Sequence, residues 1–263
     1  MTVSTARVWS FVALTFAVST TALIPVALSV SGRASVPAPL VAVAGFVSVF
    51  GPLIGAVAVN VRSGTARQLL DRFARWRIGG TWYAVAVFGP LVLLCVAYGV
   101  YRLFGGAVFH WPRPSQLATF PLLVLFVLIE AVGEEVGWRG YLLPALRTRY
   151  GPIAASIVLG VIWWAWHMPL FFTARLGGNN VFAKVPPLYY LGLIVGGAML
   201  FTWVYEHTRE STLVAVVMHG ALNGWATLVL QNLTERRVIA GLFGACAVVS
   251  LGAAALIAFF GRM

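Results

Sequence analysis

Acidic side chains are scarce in this chain, 7 in 263 residues. Lysine is scarcer still, with Lys184 standing alone. Cysteine occurs twice, at Cys95 and Cys246, each inside an apolar stretch. Two lone thiols so placed give neither a disulfide framework nor a paired metal ligand. Charge as a whole is thin: 10% of residues are charged and 60% are hydrophobic. With a mean hydropathy of +0.91, the chain has too little polar surface to coat a soluble core of its own size. The charge that remains is basic, a net +11 and a pI near 10.6. Its arginines are spread between apolar segments rather than clustered on one helix, so membrane topology accounts for them and nucleic acid is not an expected partner. The expectation is an all-α, polytopic membrane helix bundle in contact with the lipid bilayer.

About eight spans are expected: Val8–Val30, Pro39–Val61, Thr81–Phe104, Leu117–Pro144, Ile153–Thr173, Leu188–Glu206, Thr212–Asn232 and Val238–Phe260. The first is longer than the apolar core of a signal peptide and reads as a membrane helix. No soluble domain or long linker interrupts the series, so residues 1–263 read as one membrane domain. The longest polar stretch, Arg62 to Gly80, sets five arginines against Asp71. Its Leu69, Leu70, Phe73 and Trp76 recur at helical spacing, which predicts an amphipathic helix lying on the membrane surface. By the positive-inside rule that loop is cytoplasmic, and eight spans then put both termini in the cytoplasm of a multi-pass plasma-membrane protein.

Three clusters break the apolar pattern, and ionisable groups at such depth cost about 2.5–3.5 kcal/mol each on insertion scales. The first is "IEAVGEEVGWRGYLLP", Ile129 to Pro144, which holds three of the seven acidic residues. Glu135 and Arg139 stand one turn apart and can pair. Glu130 and Glu134 share a neighbouring face, and Glu134 has no cationic partner on its own helix. Two carboxylates so close in a dry site resist being charged together, so one can take and give protons near neutral pH. The second cluster is "WWAWHMP", with His167 one turn after Trp163 and two residues before Pro169. The third is "HGALN", with His219 and Asn223 one turn apart. Taken singly, His167 reads as a histidine capping a carbonyl at a proline kink, and His219 with Asn223 as interhelical glue. Taken together, a carboxylate pair, two imidazoles and an amide on three helices are what water activation and oxyanion stabilisation require. Counting about 1.5 Å per residue from the cytoplasmic ends, these groups lie within roughly 10–20 Å of that side and can converge. His110 and His207 read as surface residues.

These motifs resemble those of the CPBP family of CAAX prenyl endopeptidases and bacteriocin-processing proteins, also called Abi. The family pattern of Glu-Glu-x-x-x-Arg, aromatic-x-x-x-His and His-x-x-x-Asn stands here as "EEVGWR", "WWAWH" and "HGALN". Trp163 takes a place where phenylalanine is commoner. The similarity covers about residues 117–232. It implies an eight-helix intramembrane endopeptidase acting on a peptide or membrane-protein substrate, with Glu134 and His167 activating water and His219 and Asn223 forming the oxyanion site. Glu135 and Arg139 are then a positioning ion pair. Family members are also described as metalloproteases. The chain has no HExxH signature, so no cofactor is expected, with zinc held by two histidines and a glutamate as the rival. A bacteriocin-immunity protein or other non-enzymatic scaffold, and a proton-coupled transporter, are the competing classes. The topology can be tested with reporter fusions after Gly80 and after Arg113, which are expected to report opposite sides of the membrane; the same side for both would break the eight-span arrangement.

Overall fold

The computed structural model describes residues 3–108, 113–118, 120–177 and 180–260. Every regular element among the described residues is helical. In chain order they are α1 (Thr5–Ala22), α2 (Ile24–Val30), α3 (Ala38–Ser48), α4 (Gly51–Arg62), α5 (Ala66–Phe73), α6 (Gly80–Leu103), α7 (Pro114–Ala118) and α8 (Phe120–Gly137). A single π-helical turn, Trp138–Leu142, leads into α9 (Leu143–Arg147). The chain continues through α10 (Pro152–Trp166), α11 (Met168–Arg175), α12 (Pro187–His207), α13 (Thr212–Leu230) and α14 (Arg236–Phe260).

Among the described residues, six segments are long and apolar enough to cross a membrane: α1–α2, α6, α10–α11, α12, α13 and α14. The pair α3 and α4, bent by 51° at a short break, makes a seventh if taken as one span. The all-α membrane bundle expected from composition is therefore present, with a difference at the fourth expected span. Leu117–Pro144 is not one uniform helix. Its main piece, α8, is 18 residues long and carries Glu130, Glu134 and Glu135, and the backbone then winds into the π-turn. Too polar to pass as a lipid-facing span, α8 must bury its charges against neighbouring helices.

The bundle arranges itself to do so. Helix α13 packs on both α8 and α6, α12 on both α10 and α14, and α4 on both α1 and α8. Small residues set how closely α4 approaches. A methyl group placed on Gly51 would stand 2.6 Å from the Thr15 carbonyl oxygen, and one on Gly55 2.7 Å from Thr15 Oγ1. On the other side, a methyl on Gly137 would come within 2.6 Å of the Pro52 backbone. Lipid tails solvate leucine as well as a neighbouring helix does, so close backbone approach is what holds such helices together. Here it brings the glutamate-bearing end of α8 into the centre of the bundle.

The basic loop docks one of its faces on the rest of the protein. Helix α5 spans only Ala66–Phe73, and residues 75–79 are not helical. Leu69 is buried in the same apolar cluster as Trp138 and Leu142. Arg72 Nη1 donates to the Gly140 carbonyl of the π-turn at 3.0 Å, and Arg75 Nη1 meets Glu210 Oε2 at 3.3 Å. A π-turn disturbs the ordinary ladder of carbonyl acceptors, and a guanidinium from α5 binds one of those carbonyls. The amphipathic pattern in this stretch thus reports docking against protein on one face, while Leu70 and Trp76 stay exposed on the other.

The closeness of the α4–α8 contact gives a direct test. Gly137→Ala is expected to lower the melting temperature in detergent by an amount equivalent to about 1–3 kcal/mol or more, as overpacking does. Gly99→Ala, where an added methyl meets nothing within 4 Å, is expected to be neutral. Equal melting temperatures for the two variants would mean that the contact tolerates a side chain.

Candidate active site

The π-turn shapes the first part of the site. Arg139, on that turn, has no exposed surface, and neither has Glu135 one turn before it. Arg139 Nη1 donates to both Glu135 oxygens, at 2.8 Å to Oε1 and 3.0 Å to Oε2. The guanidinium carbon lies 4.8 Å from the centre of the Trp163 ring and 4.4 Å from that of Phe201. Arg139 Nε and Nη2 have no hydrogen-bond acceptor, and the two aromatic faces supply the attraction that an acceptor otherwise would.

Glu134 faces elsewhere, as one residue's step of about 100° around a helix requires. Its Oε2 accepts from Trp163 Nε1 at 2.8 Å and from Trp138 Nε1 at 3.3 Å. Its Oε1 lies 3.9 Å from His219 Nε2. The absence of a cation on its own helix is thus met by two indole donors and by an imidazole from α13.

The two histidines are held in the same sense. His167 sits at the junction of α10 and α11, where its backbone N–H turns to the Trp164 carbonyl at 3.0 Å. Its ring Nδ1 donates to the Trp163 carbonyl at 2.8 Å. Pro169, in the first turn of α11, has no N–H with which to continue the ladder. In the neutral ring Nε2 is then an acceptor. His219 Nδ1 donates to Glu135 Oε1 at 2.8 Å, since a carboxylate paired with arginine only accepts. Its Nε2 points at Glu134 and can donate only when the ring is an imidazolium. Asn223, one turn further along α13, is half-buried.

Glu134, His167, His219 and Asn223 line one cavity of about 460 Å³, with Glu130 also in its wall. Glu135 and Arg139 lie behind it, acting through His219 and Trp163. Glu130 also borders a second cavity of about 370 Å³, between α3, α8 and α11. Zinc would draw its ligands from Glu134, His167 and His219. Among the described residues no three His, Cys, Asp or Glu side chains are arranged to hold a metal ion. Both Nδ1 atoms are engaged with protein acceptors, which leaves Nε2 as the ring nitrogen of each histidine on the cavity side.

The segment that carries this geometry has relatives. Residues 116–225 match the family described as type II CAAX prenyl endopeptidase Rce1-like. The matched region contains all three motifs, Glu134 to Asn223. The archaeal CAAX prenyl protease 2 of Methanococcus maripaludis is 32% identical over 126 residues, 46% of this chain and 46% of that protein. The chain therefore spans about half the length of that relative.

Within the matched segment, sequence reasoning missed two groups, the indole nitrogens of Trp138 and Trp163. Both were visible as tryptophans one turn from a motif residue, and the signal was the replacement of the commoner phenylalanine by a ring with a donor. His207 is a surface residue that stacks between Trp82 and Trp203, with ring centres 5.4 and 4.9 Å away. His110 lies outside the described residues.

The buried pair makes a stability prediction. Glu135→Ala leaves the Arg139 charge without a carboxylate partner, which typically costs about 3–5 kcal/mol. A large fall in melting temperature is expected, and Glu135→Ala combined with Arg139→Leu is expected to recover much of it. A single variant as stable as wild type would show that the pair does not hold the fold.

Proposed function

We propose that this chain is an intramembrane endopeptidase, hydrolysing a peptide bond of a membrane-associated peptide or protein with Glu134 as the base. One observation carries the reading: a carboxylate, two imidazoles and an amide from three spans line a single, mostly apolar cavity. The name of the Methanococcus relative, a CAAX prenyl protease, supports the same class and points to a C-terminal CAAX-type peptide as substrate.

The chemistry follows from which atoms are free. Water sits between Glu134 Oε1 and the acceptor Nε2 of His167. Glu134 takes a proton from it as the oxygen attacks the scissile carbonyl carbon, a general-base step worth about 10²–10⁴ in rate. The carbonyl oxygen becomes an oxyanion that accepts hydrogen bonds from the Asn223 amide and from His219. For His219 to donate at Nε2 the ring must be an imidazolium. When the C–N bond breaks, Glu134 passes the proton to the departing amine. Donors set in a water-poor cavity act more strongly than in water, because nothing there screens them.

Replacing Glu134 with glutamine keeps size and an acceptor but removes the base. Glu134→Gln, reconstituted with a membrane-anchored CAAX reporter peptide, is expected to match wild type in yield and melting temperature and to lose about a hundredfold or more in turnover. Wild-type protein stripped with a strong chelator is expected to keep its activity. An active Glu134→Gln protein, or activity that disappears with the chelator and returns with zinc, would overturn the assignment.

A further inference from the structure

We infer that Trp163 and Trp138 are positioning residues whose indole N–H groups clamp one oxygen of Glu134, so that only the other oxygen can meet the reacting water. The inference rests on the proposed role of Glu134 as the base.

The clamp is asymmetric. Both indole nitrogens point at Oε2, at 2.8 Å from Trp163 and 3.3 Å from Trp138, while Oε1 is left facing His219 Nε2 at 3.9 Å. An indole N–H can only donate, and buried in an apolar site it needs an acceptor. The carboxylate in turn needs donors in place of lost water. Two donors on Oε2 stop the carboxyl group from rotating about its last bond and direct the remaining lone pairs of Oε1 into the cavity.

Both rings are fixed. Trp138 has no exposed surface and packs edge-on against Phe11 and Trp166, each with ring centres 5.8 Å away. Trp163 is 2% exposed and lies against the Arg139 guanidinium on one face and edge-on to His219. Trp163 also holds the second group of the water site, because its backbone carbonyl takes the His167 Nδ1 proton. One residue thereby sets the orientation of both the base and the imidazole that are to share the water. A phenylalanine at this position would keep the carbonyl and the aromatic face for Arg139 and lose the N–H alone.

That last fact makes the role separable from packing. Trp163→Phe and the ring isostere benzothienylalanine at position 163, which replaces N–H by sulfur, are to be compared with wild type on the reporter peptide. Both are expected to lower kcat about tenfold, the effect of one charge-assisted hydrogen bond, with KM within about twofold and melting temperature unchanged for the isostere. Trp138→Phe, whose bond is longer, is expected to cost less. The hydrogen bonds are read without turnover by ultraviolet resonance Raman of the indole N–H mode. Glu134→Ala minus wild type is expected to give a difference signal of two released indoles, and the same substitution made in the Trp138→Phe/Trp163→Phe protein is expected to give none. Wild-type kcat in the isostere protein, a loss confined to KM, or a Glu134→Ala signal that survives without both tryptophans would each overturn the clamp. Should Glu134→Gln itself prove active, the base assignment falls, while the Raman cycle still decides whether the clamp exists.

Discussion

A carboxylate with no exposed surface stands at the centre of this apolar bundle, and the arrangement around it depends on how its charge is met. Glu135 is held through both oxygens by Arg139 and on one of them also by His219. An unpaired ion buried there would cost several kcal/mol, so α8, the π-turn and α13 are tied to one relative position. Arg139, with two nitrogens lacking acceptors, leans on the Trp163 and Phe201 rings and so draws α10 and α12 into the same constraint. The ion pair does not border the cavity itself. Its effect is to hold His219 by one nitrogen and leave the other directed at Glu134.

The residues of the proposed chemistry cluster where the helices are irregular. Arg139 lies on the π-turn, and Trp138 begins it. His167 occupies the break between α10 and α11. A regular helix commits its carbonyls to the i+4 backbone ladder. At these two breaks carbonyls become available, and side chains take them: His167 Nδ1 binds the Trp163 carbonyl, and Arg72 binds that of Gly140. The second contact crosses from the basic loop, so that loop is built into the support of the buried site.

Membrane packing explains how polar groups from three spans meet at all. Glycines 51, 55 and 137 let α4 lie close against α1 and α8, and α13 closes on α8 from another side. Much of the remaining wall is leucine, valine and aromatic rings. Such a wall suits an apolar substrate segment and keeps most water out, which raises the strength of each hydrogen bond and charge within.

Much was legible in the sequence, because burial in lipid leaves a plain signature. The apolar runs, the scarcity of acid and the one-turn spacings marked an all-helical membrane bundle and singled out Glu134, Glu135, Arg139, His167, His219 and Asn223. The Glu135–Arg139 contact follows from spacing on one helix, since i and i+4 side chains are neighbours whatever surrounds them. Contacts between helices have no such local rule. Spacing left Glu134 without a partner, yet Trp163 reaches it from 29 positions away. It set His219 one turn from Asn223, and Glu135 claims its Nδ1 from 84 positions away. It gave the basic loop an apolar face, and did not show that Leu69 and Arg72 dock on protein. Amphipathicity records that a helix has an apolar side and does not record whether lipid or protein covers it. Residue identity and helical period determined which groups could share a face; only the packing of α8, α10 and α13 decided which nitrogen of each histidine was spoken for and which oxygen of Glu134 was left free.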